Sequence, residues 1–195
     1  MIDSLTAFTV VPEYGRSRTV YQVLVGDQSA PVAQLRKDSA YDSLRPLAAF
    51  TGPGLDQHVG WVSAFRARGV DRVEVGRVEH RGGSTWSGER WSFAQAGLPE
   101  LRGEQVGLGG KLRGRLPLQG FVDGVLSVHL RFGAPGLNGF DLTRFSGVRA
   151  RYGVEIHDPR ISRLLVLACV VHYNVFQDAD PRQVAIDYTS NPFRD

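Results

Sequence analysis

Cysteine is almost absent from this chain: Cys169 is the only one in 195 residues. No intrachain disulfide can form, so nothing in the composition calls for an oxidising compartment, and a lone thiol offers no zinc-ligand spacing. A small buried hydrophobe is the plain reading of that residue. Lysine is nearly as scarce, with only Lys37 and Lys111 among 23 basic residues. The formal charge of +3 is spread along the sequence and lacks the concentrated basic face of a nucleic-acid binder, so no such partner is expected. Long apolar runs are missing too. Residues 164–171 are eight apolar side chains without a break, less than half of the roughly 20 that a bilayer-spanning helix needs. The opening residues, MIDSLTAFTVVPEYG, have no basic segment followed by an apolar core, so no secretory signal is read and a cytoplasmic location is the simplest expectation.

The familiar motifs of chemistry are missing as well. VGLGGKLR has Gln105 where a phosphate loop needs glycine and Leu112 where it needs Ser or Thr, and is read as a hairpin turning at Gly109 and Gly110. RGGSTW has Trp86 where a nucleophile elbow needs glycine. His58, His80, His129, His157 and His172 form no H-x-x-x-H pair, and carboxylates such as Glu79, Glu89, Glu100 and Glu104 are dispersed. No catalytic residue, metal ligand or cofactor is assigned.

What the chain has is punctuation. Its 23 glycines and 10 prolines are spread throughout, which favours many short elements over a few long helices. TVYQVLV, GDQSA and PVAQLRK read as strand, turn, strand. In VAQLRK, Val32, Gln34 and Arg36 alternate with Ala33, Leu35 and Lys37, which gives one wet face. The first strand is expected to end at Pro12, and residues 38–60 read as a long irregular loop around TGPG. WVSAFRA reads as one strand, DRVEVGRVEHR as another with a β-bulge near Gly76. GERWSFAQ, GVLSVHLRF, GFDLTRF and GVRARYGVEIH continue the series. Ten to twelve short strands at this spacing predict an antiparallel sandwich or barrel.

One helix is expected, over residues 159–174. Asp158 suits an N-cap and Pro159 the first helical position. Its middle has no polar face, while Arg160, Ser162 and Arg163 stand at the start and His172 and Asn174 at the end. A surface helix would need a polar stripe. A helix running through a tube of strands needs dry sides and wet ends, so the fold class expected is mainly β: a closed antiparallel barrel of about 12 strands around a central hydrophobic helix near the C-terminus. Residues 1–176 form that domain and the polar residues 177–195 a tail or docked arm.

A late, wholly apolar helix after RYGVEIHDPR, with an early YQVLVGDQSAPVAQLRK hairpin, resembles the superfamily of tubby C-terminal domains, phospholipid scramblases and LURP-one-related proteins. That resemblance implies the same closed barrel around a central helix, and a role in lipid binding, lipid movement or signalling. No cysteine-rich palmitoylation segment and no lipid-headgroup motif is matched residue by residue, so no functional residue is carried over.

The site candidates are arginines. Arg113 with Arg115, and Arg149 with Arg151, stand two apart on expected strands and project from one face; each pair could grip a phosphate or carboxylate, or simply be the wet exterior of a barrel. Arg160 and Arg163 are neighbours at the start of the helix, where cations are disfavoured. They need either acidic company such as Asp158 or a bound anion. Three functions stay open: a non-catalytic barrel that binds an anionic ligand such as a phospholipid headgroup, at a membrane periphery; a protein-interaction module using loops, the tail, or Trp61, Trp86 and Trp91, each of which reads more readily as barrel-core packing; and an enzyme with a site in one barrel mouth.

Overall fold

The structure, a computed structural model, describes residues 2–39, 45–82, 90–106, 128–145 and 150–176. After a 3-10 turn (Ile2–Ser4), strands β1 (Ala7–Tyr14), β2 (Thr19–Leu24), β3 (Ala33–Lys37), β4 (Leu47–Thr51), β5 (Gln57–Val62) and β6 (Arg66–Arg68) follow one another. Then come β7 (Glu74–Arg81), β8 (Arg90–Gln95), β9 (Leu101–Val106), β10 (Val128–Ala134), β11 (Leu137–Arg144), β12 (Tyr152–Ile156) and helix α1 (Arg163–Phe176). Each strand pairs antiparallel with its sequence neighbour, and β1 pairs with β12, so the sheet closes into a twelve-stranded barrel. The expected barrel and its strand number are therefore what the chain forms. Closure removes the free edges that would otherwise invite another chain.

Period-two alternation selects the faces. In β8 Trp91 and Phe93 are buried while Arg90 and Ala94 are exposed; in β12 Tyr152, Val154 and Ile156 are buried. Several expectations are corrected. β1 runs past Pro12, which pairs with Tyr21 of β2; pairing with β12 stops at Val10, so proline's missing N–H lies where the strand has no partner on that side. The supposed loop of residues 38–60 contains β4 and the start of β5. WVSAFRA is not one strand but two, joined at Ser63, whose N–H and hydroxyl both donate to the Arg66 carbonyl (2.9 and 3.3 Å). The bulge near Gly76 is present: Ala67 pairs with Gly76 but Arg68 with Glu74, leaving Val75 as the extra residue.

The helix begins at Arg163, not at Pro159. Asp158 instead closes a tight turn, accepting the Arg160 N–H on its carboxylate (3.0 Å) and the Ile161 N–H on its carbonyl (3.1 Å). Ser162 becomes the residue that precedes the first helical turn. Its N–H donates to Oε1 of Gln95 on β8 (2.7 Å), and its carbonyl accepts from Val166 (3.0 Å). A tertiary partner thus displaces the local cap.

All of α1 through Asn174 is buried. Leu164 packs on Gly60 of β5 and Leu165 on Gly76 of β7, where an added Cβ would stand 2.9 Å from Leu164 Cδ1 and 2.6 Å from Leu165 Cδ2. Gly60 also has φ +149°, a backbone conformation that other residues avoid. These glycines let the helix lie directly against the strand backbone. No helix among the described residues is long and apolar enough to cross a membrane.

Candidate anion site and polar clusters

The outer face of β7, β8 and β9 forms a groove of about 880 Å³. Its wall follows from register. Arg81 of β7 stands directly opposite Arg90 of β8, Glu79 opposite Ser92, Arg77 opposite Ala94, and Ser92 opposite Arg102 of β9. Like charges directly opposite on a sheet repel, so an Arg81–Arg90 pair is unfavourable without a counter-charge. Some is present: Glu79 lies 3.7 Å from Arg81, and Glu74 takes Arg77 at 2.6 Å. Glu100, also lining the groove, accepts from the Ser92 hydroxyl (2.7 Å). The guanidinium groups of Arg90 and Arg102 have no ion-pair or hydrogen-bond partner among the described residues. Among those residues the groove thus presents two unengaged guanidinium groups and a weakly paired third, with a hydroxyl between them. Sequence reading missed this cluster because its members lie on three strands; only Glu79, Glu100 and Glu104 were singled out, as dispersed carboxylates.

The sequence-derived arginines fare differently. Arg113, Arg115 and Arg149 lie outside the described residues, as do Trp86, the Gly109–Gly110 turn and the tail. Arg151 precedes β12 rather than lying in it, half-buried, with its carbonyl accepting the Phe145 N–H (2.9 Å). Arg160 is clamped to Asp158, Nη2 to Oδ2 at 2.7 Å and Nε to Oδ1 at 3.0 Å. The side-chain and main-chain hydrogen bonds from Arg160 lower the Asp158 carboxyl to about 2. Arg163 is 2% exposed and donates to three main-chain carbonyls: Leu5 (2.8 Å), Pro159 (2.8 Å) and Ile161 (2.6 Å). Burial lowers its pKa while Asp3 and Asp158 oppose that. The structure brings Arg160 and Arg163 to one place and engages both in internal bonds.

A second cluster lies on the outer face of β10–β12. Asp141 holds Arg131 through two hydrogen bonds (3.1 and 3.2 Å), and its Oδ2 lies 3.4 Å from Nε2 of both His129 and His157. Burial by itself would raise the Asp141 carboxyl, but the His129 imidazole and the Arg131 guanidinium outweigh it and hold the group well below the usual range. His129 and His157 approach from opposite strand neighbours, and among the described residues no three His, Cys, Asp or Glu side chains are placed to hold a metal ion. Cross-strand diagonals of this kind leave no spacing signal in sequence.

At the far end of α1, Asn174 is 2% exposed. Its amide nitrogen donates to the Tyr21 hydroxyl (3.0 Å) and to that of Tyr14, and its oxygen accepts from Tyr152 (2.8 Å). Burial, then the neighbouring Tyr14, push the Tyr21 phenol well above its usual value. Trp91 is a core residue, as the core-packing reading of its sequence position expects, rather than a partner anchor, and it stacks on Tyr173 at 5.8 Å. Cys169 is fully buried, and desolvation raises its thiol far out of the reactive range.

Compared with protein families, curated proteins and solved structures, the chain matches none.

Proposed function

We propose that the chain is a non-catalytic barrel that binds an anionic ligand, such as a phospholipid headgroup, in the β7–β9 groove. We further propose that α1 runs inside the barrel as its core, in the manner of the tubby, scramblase and LURP-one-related folds that the sequence resembles. Support for the helix placement is its burial without a polar stripe and its reach: Leu164 and Leu165 meet β5 and β7, Asn174 meets tyrosines of β1, β2 and β12, and His172 and Tyr173 meet Trp91 of β8. One observation carries the binding reading: Arg81 and Arg90 face each other across the outer surface, with Arg102 one strand further and its guanidinium unpaired among the described residues. Guanidinium groups brought together in this way favour a multidentate oxyanion. A cytoplasmic site of action at a membrane periphery accompanies this reading.

The test is sedimentation with vesicles of phosphatidylcholine alone or with added phosphatidylserine, at low and high salt. Binding is expected only to the anionic vesicles and to weaken with salt. Each basic side chain near such a surface contributes about 1 kcal/mol, so Arg90→Glu is expected to weaken binding by at least about fivefold, and Arg102→Glu similarly. Equal binding to neutral vesicles, or no effect of either substitution, would rule the groove out.

A further inference from the structure

His172, near the end of α1, is 4% exposed. Its Nδ1 lies 2.8 Å from the Ala64 carbonyl; a carbonyl only accepts, so Nδ1 carries the proton and Nε2 is left as a lone pair in the neutral ring. Around that ring stand Phe65 from the β5–β6 turn (centroids 5.5 Å apart), His80 of β7 (6.0 Å), Trp91 of β8 (5.2 Å) and Phe176 of the helix itself (4.8 Å). His80 in turn lies against Trp91 at 4.4 Å. The strand neighbours of His80, Glu79 and Arg81, belong to the outer groove, and among the described residues no carboxylate is bonded to His172.

We propose that His172 is an acid-sensitive latch that holds the last turn of α1 against the β5–β6 turn while neutral and releases it when protonated. A protonated His172 would place a charge in an aromatic cluster where, among the described residues, no carboxylate is bonded to it. Burial is the largest influence and lowers the His172 pKa; the Ala64 bond, next in size, opposes it, and His80 lowers it least. The sign follows from linkage. The closed form binds fewer protons than the released form, so the latch is complete above the ordinary imidazole value of about 6.5 and weakens as pH falls below it. Release would uncover Phe65 and Phe176, which are already 40% and 46% exposed and touch each other at 5.5 Å. This device is independent of the anion groove.

The experiment is amide hydrogen exchange at pH 7.5 and 5.5, normalised to intrinsic rates. Protection of residues 172–176 is expected to fall by up to about tenfold per pH unit for each proton taken up, while Phe132, Phe140 and Val154 keep theirs. His172→Gln keeps a donor for the Ala64 carbonyl and does not titrate, so it is expected to abolish the fall. Flat protection in the wild type, or an equal fall in His172→Gln, overturns the latch. Should His172→Gln not fold, an equal fall at Phe132, Phe140 and Val154 in the wild type overturns it instead.

Discussion

The two ends of α1 solve one problem in opposite ways. Each must bring polar groups to the limit of a dry interior. At the start, charge meets main chain: Arg163 spends its donors on three carbonyls, Asp158 clamps Arg160, and Gln95 holds the Ser162 N–H. At the far end the groups are neutral: an amide among three phenols and an imidazole among aromatic rings. A guanidinium stays charged at every accessible pH, so the three Arg163 bonds hold the first end down to pH values where Asp158 itself protonates. The second contains an imidazole whose protonation opposes its own burial. Permanence at one end and sensitivity at the other follow from which groups ionise.

That contrast can be broken at graded strength. Arg163→Met should have the largest effect, because three carbonyls lose a charged and buried donor; a loss of about 4 kcal/mol is expected from hydrogen-bond magnitudes, read by urea unfolding. Gly76→Val disturbs neither end but drives a side chain toward Leu165 and the Ala94 carbonyl; overpacking of this kind costs up to about 3 kcal/mol, measured the same way. Asn174→Leu strands buried phenol hydroxyls and should cost about 2 kcal/mol, with a matching drop in Tm. Asp158→Asn should be the mildest. The Asp158 pKa is lowered, so its contribution is complete above the ordinary carboxyl value of about 4 and is lost as pH falls through its folded value of about 2. Comparing wild type with Asp158→Asn, the difference in midpoint should be present at pH 6 and vanish toward pH 2. The same comparison for His172→Gln should behave in the opposite sense, small at pH 7.5 and growing below about 6.5.

The strands with clear alternation, such as β3 and β8, were legible in sequence because one face of each is buried. β4 was not. LAAFT has two alanines, weak strand formers, and its identity comes from pairing with β3 and β5. The start of the helix was misplaced by four residues for a related reason: Asp158 and Pro159 carry a local capping signal, but the N–H that decides the start is held by Gln95, 67 positions away. The groove arginines and the Asp141 cluster were invisible because register across strands, rather than spacing along the chain, assembles them.

By itself, the sequence determined that this chain makes many short strands and one helix without a polar face, since period and polarity are local properties that burial must respect. Tertiary structure alone decided which arginines are already bonded and which face solvent, and which imidazoles stand beside carboxylate or aromatic neighbours. The reason is physical: the ionisation and availability of a side chain depend on groups a few ångströms away, and in an antiparallel barrel those groups come from adjacent strands whose register the sequence does not state.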